Sequence, residues 1–433
     1  MKKVAQHLFL QTLTGIQIPT VLARKLNREG SVIQVAGGIV DLQDFREIVA
    51  ISFGKASFAM AEALNDILAP EFQVEGILVG PDFPPRALPT WKSFVGGHPL
   101  PTKESFAAGR AILDRLARCG ERSLVFFLIS GGGSAMVEQS LHDGITLGDF
   151  QKLHFALVTC GAPIEEINVI RKHLSATKGG RLAAAAPRAM KITFAISDVP
   201  EGQESALASG PTLPDPTTVQ DAEQIVRAYD LLPRLPPSIC ALLERRALSE
   251  TPKPGEPAFA RSHFELLLRT HDLTHACHHA CEGEGFICLA DNSTDNWPIE
   301  KAADHLLAQL EALKKDNPGR RVALMAGGEV SSPVTGEGIG GRNLAFVLAC
   351  VPKIAGRKIT VLSAGTDGID GNSPAAGAVA DGETLQRARA AGLEPSEFLC
   401  RSDAYNFFKL LDDAIITGPT GNNLRDLRIL LAY

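Results

Sequence analysis

The chain has 433 residues, enough for two or three domains, and its 45% apolar and 21% charged residues are ordinary for a soluble globular protein. Its net charge of −6, from 43 basic and 49 acidic residues, argues against an electrostatic nucleic-acid binder. No run approaches the ~18 apolar residues a membrane helix needs. The eight cysteines lack the spacing of a disulfide framework, so a reduced, cytoplasmic protein is expected.

At the N-terminus, Gln6 and His7 interrupt what would be the apolar core of a secretory signal, and the segment reads as an amphipathic helix belonging to the fold. Apolar runs then alternate with helical patterns. Strands are predicted at residues 47–52, 74–79, 124–129, 191–197, 264–268, 286–290, 321–326, 358–364 and 413–417. Helices are predicted at 57–68, 103–118, 147–160, 302–315, 343–349 and 384–391. This alternation predicts an α/β fold with a largely parallel sheet, whose ligands bind beyond the C-terminal strand ends. A proline-rich stretch, 232–257, places the linker near 246–260 and divides the chain into domains 1–250 and 251–433.

The predicted strand ends carry the chemistry. Gly54-Lys55 follows the first strand and opens a helix, where a lysine can reach a bound anion. It is not a Walker A loop: Val49 stands at the upstream glycine position and Ala56 at the hydroxyl position. Ser130-Gly131-Gly132-Gly133-Ser134 follows the strand at 124–129, and three glycines there can turn N–H groups toward an oxyanion. Between residues 168 and 180, Asn168, Arg171, Lys172, His173 and Lys178 crowd potential anion donors. Asp198 ends another strand and could hold Mg²⁺, accept a proton, or simply cap a turn. Gly210 lies in a further tight turn.

The C-terminal half repeats the theme in Gly327-Gly328-Glu329, the loop 336–343 with Arg342 and Asn343, the turn 365–371 with Thr366, Asp367 and Asp370, and the turn 417–423 with Thr420. Each could be only a turn; together they point to a polar cleft for a phosphorylated ligand. Competing templates fail. Met136 and Asn343 break the two near-matches to GxGxxG, and Met136 also replaces the last glycine of GxSxG around Ser134. The cluster His271, His275, Cys277, His278, His279, Cys281 with Cys288 offers zinc-ligand types, but no CxxC or HExxH spacing; a helix leading into a strand explains it without metal.

The ordered set Gly54-Lys55-Ala56, His98-Pro99, Ser130 to Ser134, Glu166-Ile-Asn168, Arg171 to Ser175, Lys178-Gly-Gly180, Ser209-Gly-Pro211, Gly327-Gly-Glu329, Gly340-Gly-Arg-Asn343, 365–371, Ala376-Gly-Ala378 and 417–421 resembles the class II glycerate kinases, its last part looking like their MOFRL domain. The resemblance runs over nearly the whole chain. It implies ATP-dependent phosphorylation of D-glycerate at its 2-hydroxyl with Mg²⁺ or another divalent cation. It also implies a Rossmann-like N-terminal domain, a smaller α/β C-terminal domain and an active-site cleft between them. By motif, the family's catalytic lysine and arginine fall on Lys55 and Arg342, with Asp198 as a further catalytic candidate. Binding roles fall to Ser130, Gly131, Gly132, Gly133, Ser134, Asn168, Arg171, Lys178, Gly210, Glu329, Asn343, Thr366, Asp367 and Thr420. Asp198, Asp367 and Asp370 are the metal candidates. Partners are then the two small substrates, without nucleic acid or membrane, and a homodimer is left open.

The sequence departs from the family pattern at Glu201-Gly202-Gln203, Leu344-Ala345, Ala404 and Asn422, losing acids and an amide that could serve metal or acceptor. Two other readings therefore stand beside the kinase. One is hydroxypyruvate reductase, a label some relatives carry, for which no nicotinamide fingerprint is present. The other is a non-catalytic paralogue that binds a nucleotide or sugar acid.

Overall fold

A computed structural model describes residues 1–35, 37–197, 199, 204–421 and 424–433. The chain forms two compact units: Ile18–Leu267, and Leu268–Tyr433 joined by Met1–Gln17. The division at 267/268 falls after the proline-rich stretch, because that stretch packs with the first unit. The helix Lys2–Gly15 joins the C-terminal unit because its apolar face (Ala5, Leu8, Phe9) is fully buried. Gly15 also passes close to the helix Thr270–Gly283 at Ala276, and Lys2 pairs with Asp413 at 2.7 Å.

The first unit opens with a small antiparallel sheet, β1 (Arg28–Glu29), β2 (Val32–Val35) and β3 (Gly38–Asp41). Its main sheet comprises β4 (Glu47–Phe53), β5 (Val74–Gly80), β6 (Trp91–Val95), β7 (Ser123–Ile129), β8 (Met190–Ile196) and β9 (Ser262–Leu268), in the order β6-β5-β4-β7-β8-β9. From β6 through β8 every pairing is parallel. The strand order reverses at β4/β7, the doubly wound arrangement in which ligands bind at the reversal. All seven residues of β7 are buried, as its continuous apolar run requires for a strand covered on both faces. On one face Val49, Ile51, Phe53, Val125, Phe127 and Ile129 share a core with the helix Lys103–Leu116. Each large side chain so buried stabilises by about 1.5–3 kcal/mol.

The second unit carries β10 (Ile287–Ala290), β11 (Val322–Gly328), β12 (Ile359–Gly365), β13 (Gly377–Asp381), β14 (Ala414–Ile415) and β15 (Asp426–Ala432), ordered β10-β11-β15-β12-β13-β14. This sheet is mixed. The C-terminal strand β15 inserts antiparallel between β11 and β12, and β13 and β14 are antiparallel as well. Leu306, Leu307 and Leu310 of the helix Ile299–Asp316, and Phe346, Val347 and Val351 of the helix Arg342–Ile354, cover one face. The latter helix is apolar nearly all round and correspondingly buried.

Candidate active site

At the strand reversal, the turns after β4 and β7 are bonded to each other. Lys55 N–H donates to the Gly131 carbonyl (2.9 Å), Ser130 N–H to the Phe53 carbonyl (3.1 Å), and Ala56 N–H to Ser130 Oγ (3.0 Å). Gly54 has φ +113°, and a Cβ there would lie 2.4 Å from the Ser130 carbonyl oxygen, so this close approach requires glycine. Ser130 is fully buried and its Oγ accepts from the Ala56 amide, which braces the two turns against each other. Gly132, also left-handed, ends the turn and starts the short helix Gly133–Met136. Lys55 is exposed, its Cγ 3.5 Å from where a Cβ on Gly132 would stand.

Beside this turn lies a cavity of about 240 Å³. Of the expected residues it brings together Gly131, Gly132, Ser134, Asn168, Arg171 and Lys178. The helix Ile164–Leu174 supplies Asn168 and Arg171 one turn apart on one face. Ser209 Oγ donates to Asn168 Oδ1 (2.9 Å) and stands 2.9 Å from Ser134 Oγ. Ala208, Ser209 and Gly210 follow one another at φ +47°, +61° and +61°. Two consecutive non-glycine residues in this region cost about 1–3 kcal/mol each, strain that concentrates at functional sites. Gly210 shapes this turn without lining the cavity: its carbonyl accepts from Gly180 N–H at 2.7 Å.

Four lining residues escaped the sequence reading as site residues: His98, Glu138, His154 and Ser209. Glu138 is buried, bonds Lys178 Nζ at 2.8 Å and accepts from Ser175 Oγ. Burial holds the Lys178 pKa below the usual range in spite of Glu138. Arg171 Nη2 donates to His154 Nδ1 at 2.7 Å, which leaves the proton of a neutral imidazole on Nε2. Burial first, then the Arg171 and His98 charges, lower the His154 pKa. Apart from the histidines, the lining carries Arg171 and Lys178 against Glu138, one positive charge in excess. His98 and Ser209 had local signals, the His98-Pro99 pair and the Ser209-Gly-Pro211 turn; Glu138 and His154 sit in unremarkable sequence.

In the second unit a separate cluster forms at the ends of β11 and β12 and the start of β15. Arg342 binds Asp426 through both oxygens (2.5 and 3.2 Å) and Glu329 at 2.9 Å. Burial would lower its pKa, but the bond and charge of Asp426, with Glu329, hold it above the usual value. Arg425 pairs with Asp295 at 2.7 and 2.8 Å, and Asp295 in turn accepts from Glu329 N–H. Fully buried Arg428 donates to the Gly327 carbonyl (2.7 Å), and burial pushes its pKa down to about 10. Thr366 Oγ1 donates to the Arg425 carbonyl (2.8 Å), and Thr420 N–H donates to the Asp367 carbonyl (3.1 Å), which ties the 365–371 and 417–421 turns together.

Asp370, expected as a metal ligand, instead caps the helix Arg342–Ile354. Its carboxylate accepts from Asn343 N–H (3.1 Å), Asn343 Nδ2 (3.2 Å) and Leu344 N–H (2.8 Å). Burial outweighs these bonds and pushes its pKa up to about 6. Asn343 Oδ1 accepts from Ser363 Oγ, so this expected binding residue is internally engaged. Asp367 accepts from Ile369 N–H at 3.1 Å. Asp198 lies outside the described residues. Among the described residues no three His, Cys, Asp or Glu side chains are grouped to hold a metal ion. The described carboxylates therefore do not form a divalent-ion site by themselves.

Comparison with known proteins accords with this fold. Residues 4–244 match the family described as a domain of unknown function (DUF4147), and residues 322–426 match the MOFRL family. A D-glycerate 2-kinase of Thermotoga maritima is 32% identical over 385 residues, covering 88% of this chain and 90% of that protein. A protein of Agrobacterium vitis, under the provisional name hydroxypyruvate reductase, is 37% identical over 391 residues, covering 88% and 86%. The crystal structure of a glycerate kinase from Thermotoga maritima superposes with a TM-score of 0.87 at 30% identity, covering 100% of this chain and 99% of that one. The chain belongs to the DUF4147–MOFRL family of glycerate 2-kinases.

Proposed function

We propose that this protein is an ATP-dependent glycerate 2-kinase, transferring the terminal phosphoryl group of ATP to the 2-hydroxyl of D-glycerate. The family relationship carries the activity; several relatives bear the name glycerate 2-kinase. The observation that carries the site is the cavity at the β4/β7 reversal with one positive charge in excess. A small hydroxy acid suits it: the carboxylate meets Arg171, while the hydroxyls find Ser134, Asn168 and Ser209. Lys55 and Arg342 are the cations proposed to stabilise charge on the transferring phosphoryl group, where positioning and electrostatics do most of the catalysis. Magnesium bound to the ATP phosphates would neutralise part of their charge. No described helix is long and apolar enough to cross a membrane.

The test is purified protein with ATP, magnesium and D-glycerate, the product being read through enolase. Formation of 2-phosphoglycerate above a Lys55→Ala control is expected. Its absence, or NADH oxidation with hydroxypyruvate in its place, overturns the reading.

A further inference from the structure

Two serines and an asparagine of the first-unit cavity form a hydrogen-bonded chain whose direction follows from counting protons. A serine hydroxyl has one proton to donate and two lone pairs with which to accept. Ser209 Oγ gives its proton to Asn168 Oδ1 at 2.9 Å. The 2.9 Å bond between Ser134 Oγ and Ser209 Oγ must therefore take its proton from Ser134. Each bond runs one way: Ser134 donates to Ser209, and Ser209 donates to Asn168. The two inner members are shielded from bulk water, Ser209 being 1% and Asn168 3% exposed. Ser209 is held in place by its left-handed turn (φ +61°), its carbonyl accepting from Gly179 N–H at 3.0 Å. Ser134 is the half-buried outer end, and all three residues line the cavity. With its proton committed inward, Ser134 Oγ presents only lone pairs to a ligand. A hydroxyl can donate to them. A carbonyl oxygen is itself an acceptor, and it leaves both oxygens unsatisfied.

We propose that the chain Ser134–Ser209–Asn168 is a specificity determinant: it selects an acid with a hydroxyl on the carbon next to its carboxylate over the corresponding 2-oxo acid. The inference rests on the proposed acid-binding site and names which oxygen of the acid is read there. The carboxylate meets Arg171, and the 2-hydroxyl donates to Ser134 Oγ. Ser134 lies two residues beyond Gly132, the glycine beside which the Lys55 stem passes. The reacting hydroxyl is thereby placed at the turn shared with the proposed phosphoryl cation. With its proton directed at Ser134, the hydroxyl keeps its lone pairs for the phosphoryl group, which is an orienting effect. The chain ends on an amide oxygen, which is no base, so it orients the hydroxyl and takes no proton from it.

The test compares D-lactate with pyruvate, which differ only in carrying a hydroxyl or a carbonyl at that carbon, by calorimetric titration of the full-length protein without nucleotide. D-Lactate should bind about tenfold tighter or more, since the 2-oxo acid leaves a polar group of the site unpaired. Ser209→Ala leaves Ser134 able to rotate its proton toward the ligand, and should shrink the preference to about threefold or less. Thermal melting checks that the variant is folded. If it is not, Ser134→Ala takes its place, and removing the acceptor should likewise abolish the preference. Four results overturn the proposal: equal binding of the two acids, binding of neither, a preference that survives the substitution, or tighter binding of pyruvate, which would mean that the chain runs the other way. Because no turnover is needed, the two readings fail separately. The preference without any 2-phosphoglycerate formation refutes the kinase reading alone, and turnover without the preference refutes this one alone.

Discussion

Replacing Arg342 by alanine separates its structural from its proposed catalytic role, provided that Asp426 is dealt with too. The Asp426 side chain is 2% exposed and holds the guanidinium at 2.5 and 3.2 Å. Removing one partner of such a buried pair costs about 3–5 kcal/mol, because a desolvated carboxylate is left uncompensated. Arg425 and Arg428 lie close enough to interact with Asp426, so the low end of that range is expected. The double variant Arg342→Ala/Asp426→Asn removes the stranded charge and should recover most of the stability. Its kcat in the enolase-coupled assay should nevertheless stay about 10³–10⁵-fold down, the usual worth of an arginine on a transferring phosphoryl group. That factor is about 4–7 kcal/mol of barrier. Asp426→Asn alone supplies the baseline, and stability is read from thermal melts of all four proteins. If the double variant turns over as fast as Asp426→Asn alone, the transition-state role of Arg342 is refuted.

Lys55→Ala should leave the melting curve almost unchanged, within about 0.5 kcal/mol for an exposed side chain, while kcat falls by about 10²-fold or more. An equal loss of stability would mean that Lys55 braces the turn instead. Gly54→Ala adds a Cβ 2.4 Å from the Ser130 carbonyl oxygen at φ +113°, and should lower stability by at least about 1–3 kcal/mol in denaturant titration. Lys178→Met strands Glu138 and should cost about 3–5 kcal/mol, whereas adding Glu138→Gln should return much of it; no recovery would contradict the pairing. His154 predicts a pH effect. Its folded-state pKa lies below the unfolded value of 6.5, so as pH falls through that value the unfolded chain takes up the proton first, and stability is lost on the acid side. His154→Gln should flatten that part of the melting-temperature profile below about pH 6.5.

The first unit was legible because its strands are continuous apolar runs that end in glycine. The stretches at 47–52 and 124–129 became β4 and β7 almost residue for residue, and the reversal between them is where their glycine turns meet. The second unit was read less completely. Asp426 and Arg428 interrupt the apolar pattern of β15, yet the strand lies in the middle of its sheet. Its charges are matched by Arg342 and by the Gly327 carbonyl, partners about 84 and 101 positions away that no local pattern can reveal. Site residues divide the same way. Gly131, Gly132 and Ser134 announce themselves by their turn; Glu138 and His154 become site residues only through Lys178 and Arg171. Asp370 shows the converse error. A carboxylate in a glycine-rich turn has the composition of a cation ligand, but its oxygens are given to the N-terminal amides of the helix Arg342–Ile354.

The two sites also treat charge differently, and that limits how each can act. In the second unit Arg342, Arg425 and Arg428 are set against Asp295, Glu329 and Asp426, three positive charges against three negative. A balanced cluster exerts little long-range pull on a polyanion. Arg342 holds Asp426 and Glu329 through Nε and Nη2, and the attraction of its remaining N–H groups would be worth most where phosphoryl oxygens gain charge during transfer. An interaction stronger in the transition state than in the ground state raises kcat rather than merely tightening binding. The first-unit cavity is not balanced in this way. With Lys178 and Glu138 already paired, Arg171 is left to a ligand of single negative charge, and its partner His154 offers a lone pair rather than a competing carboxylate. A cavity so arranged binds an acid without breaking an ion pair. Within the proposed kinase reading, the role proposed for Arg171 is therefore ground-state recognition of an acid's carboxylate.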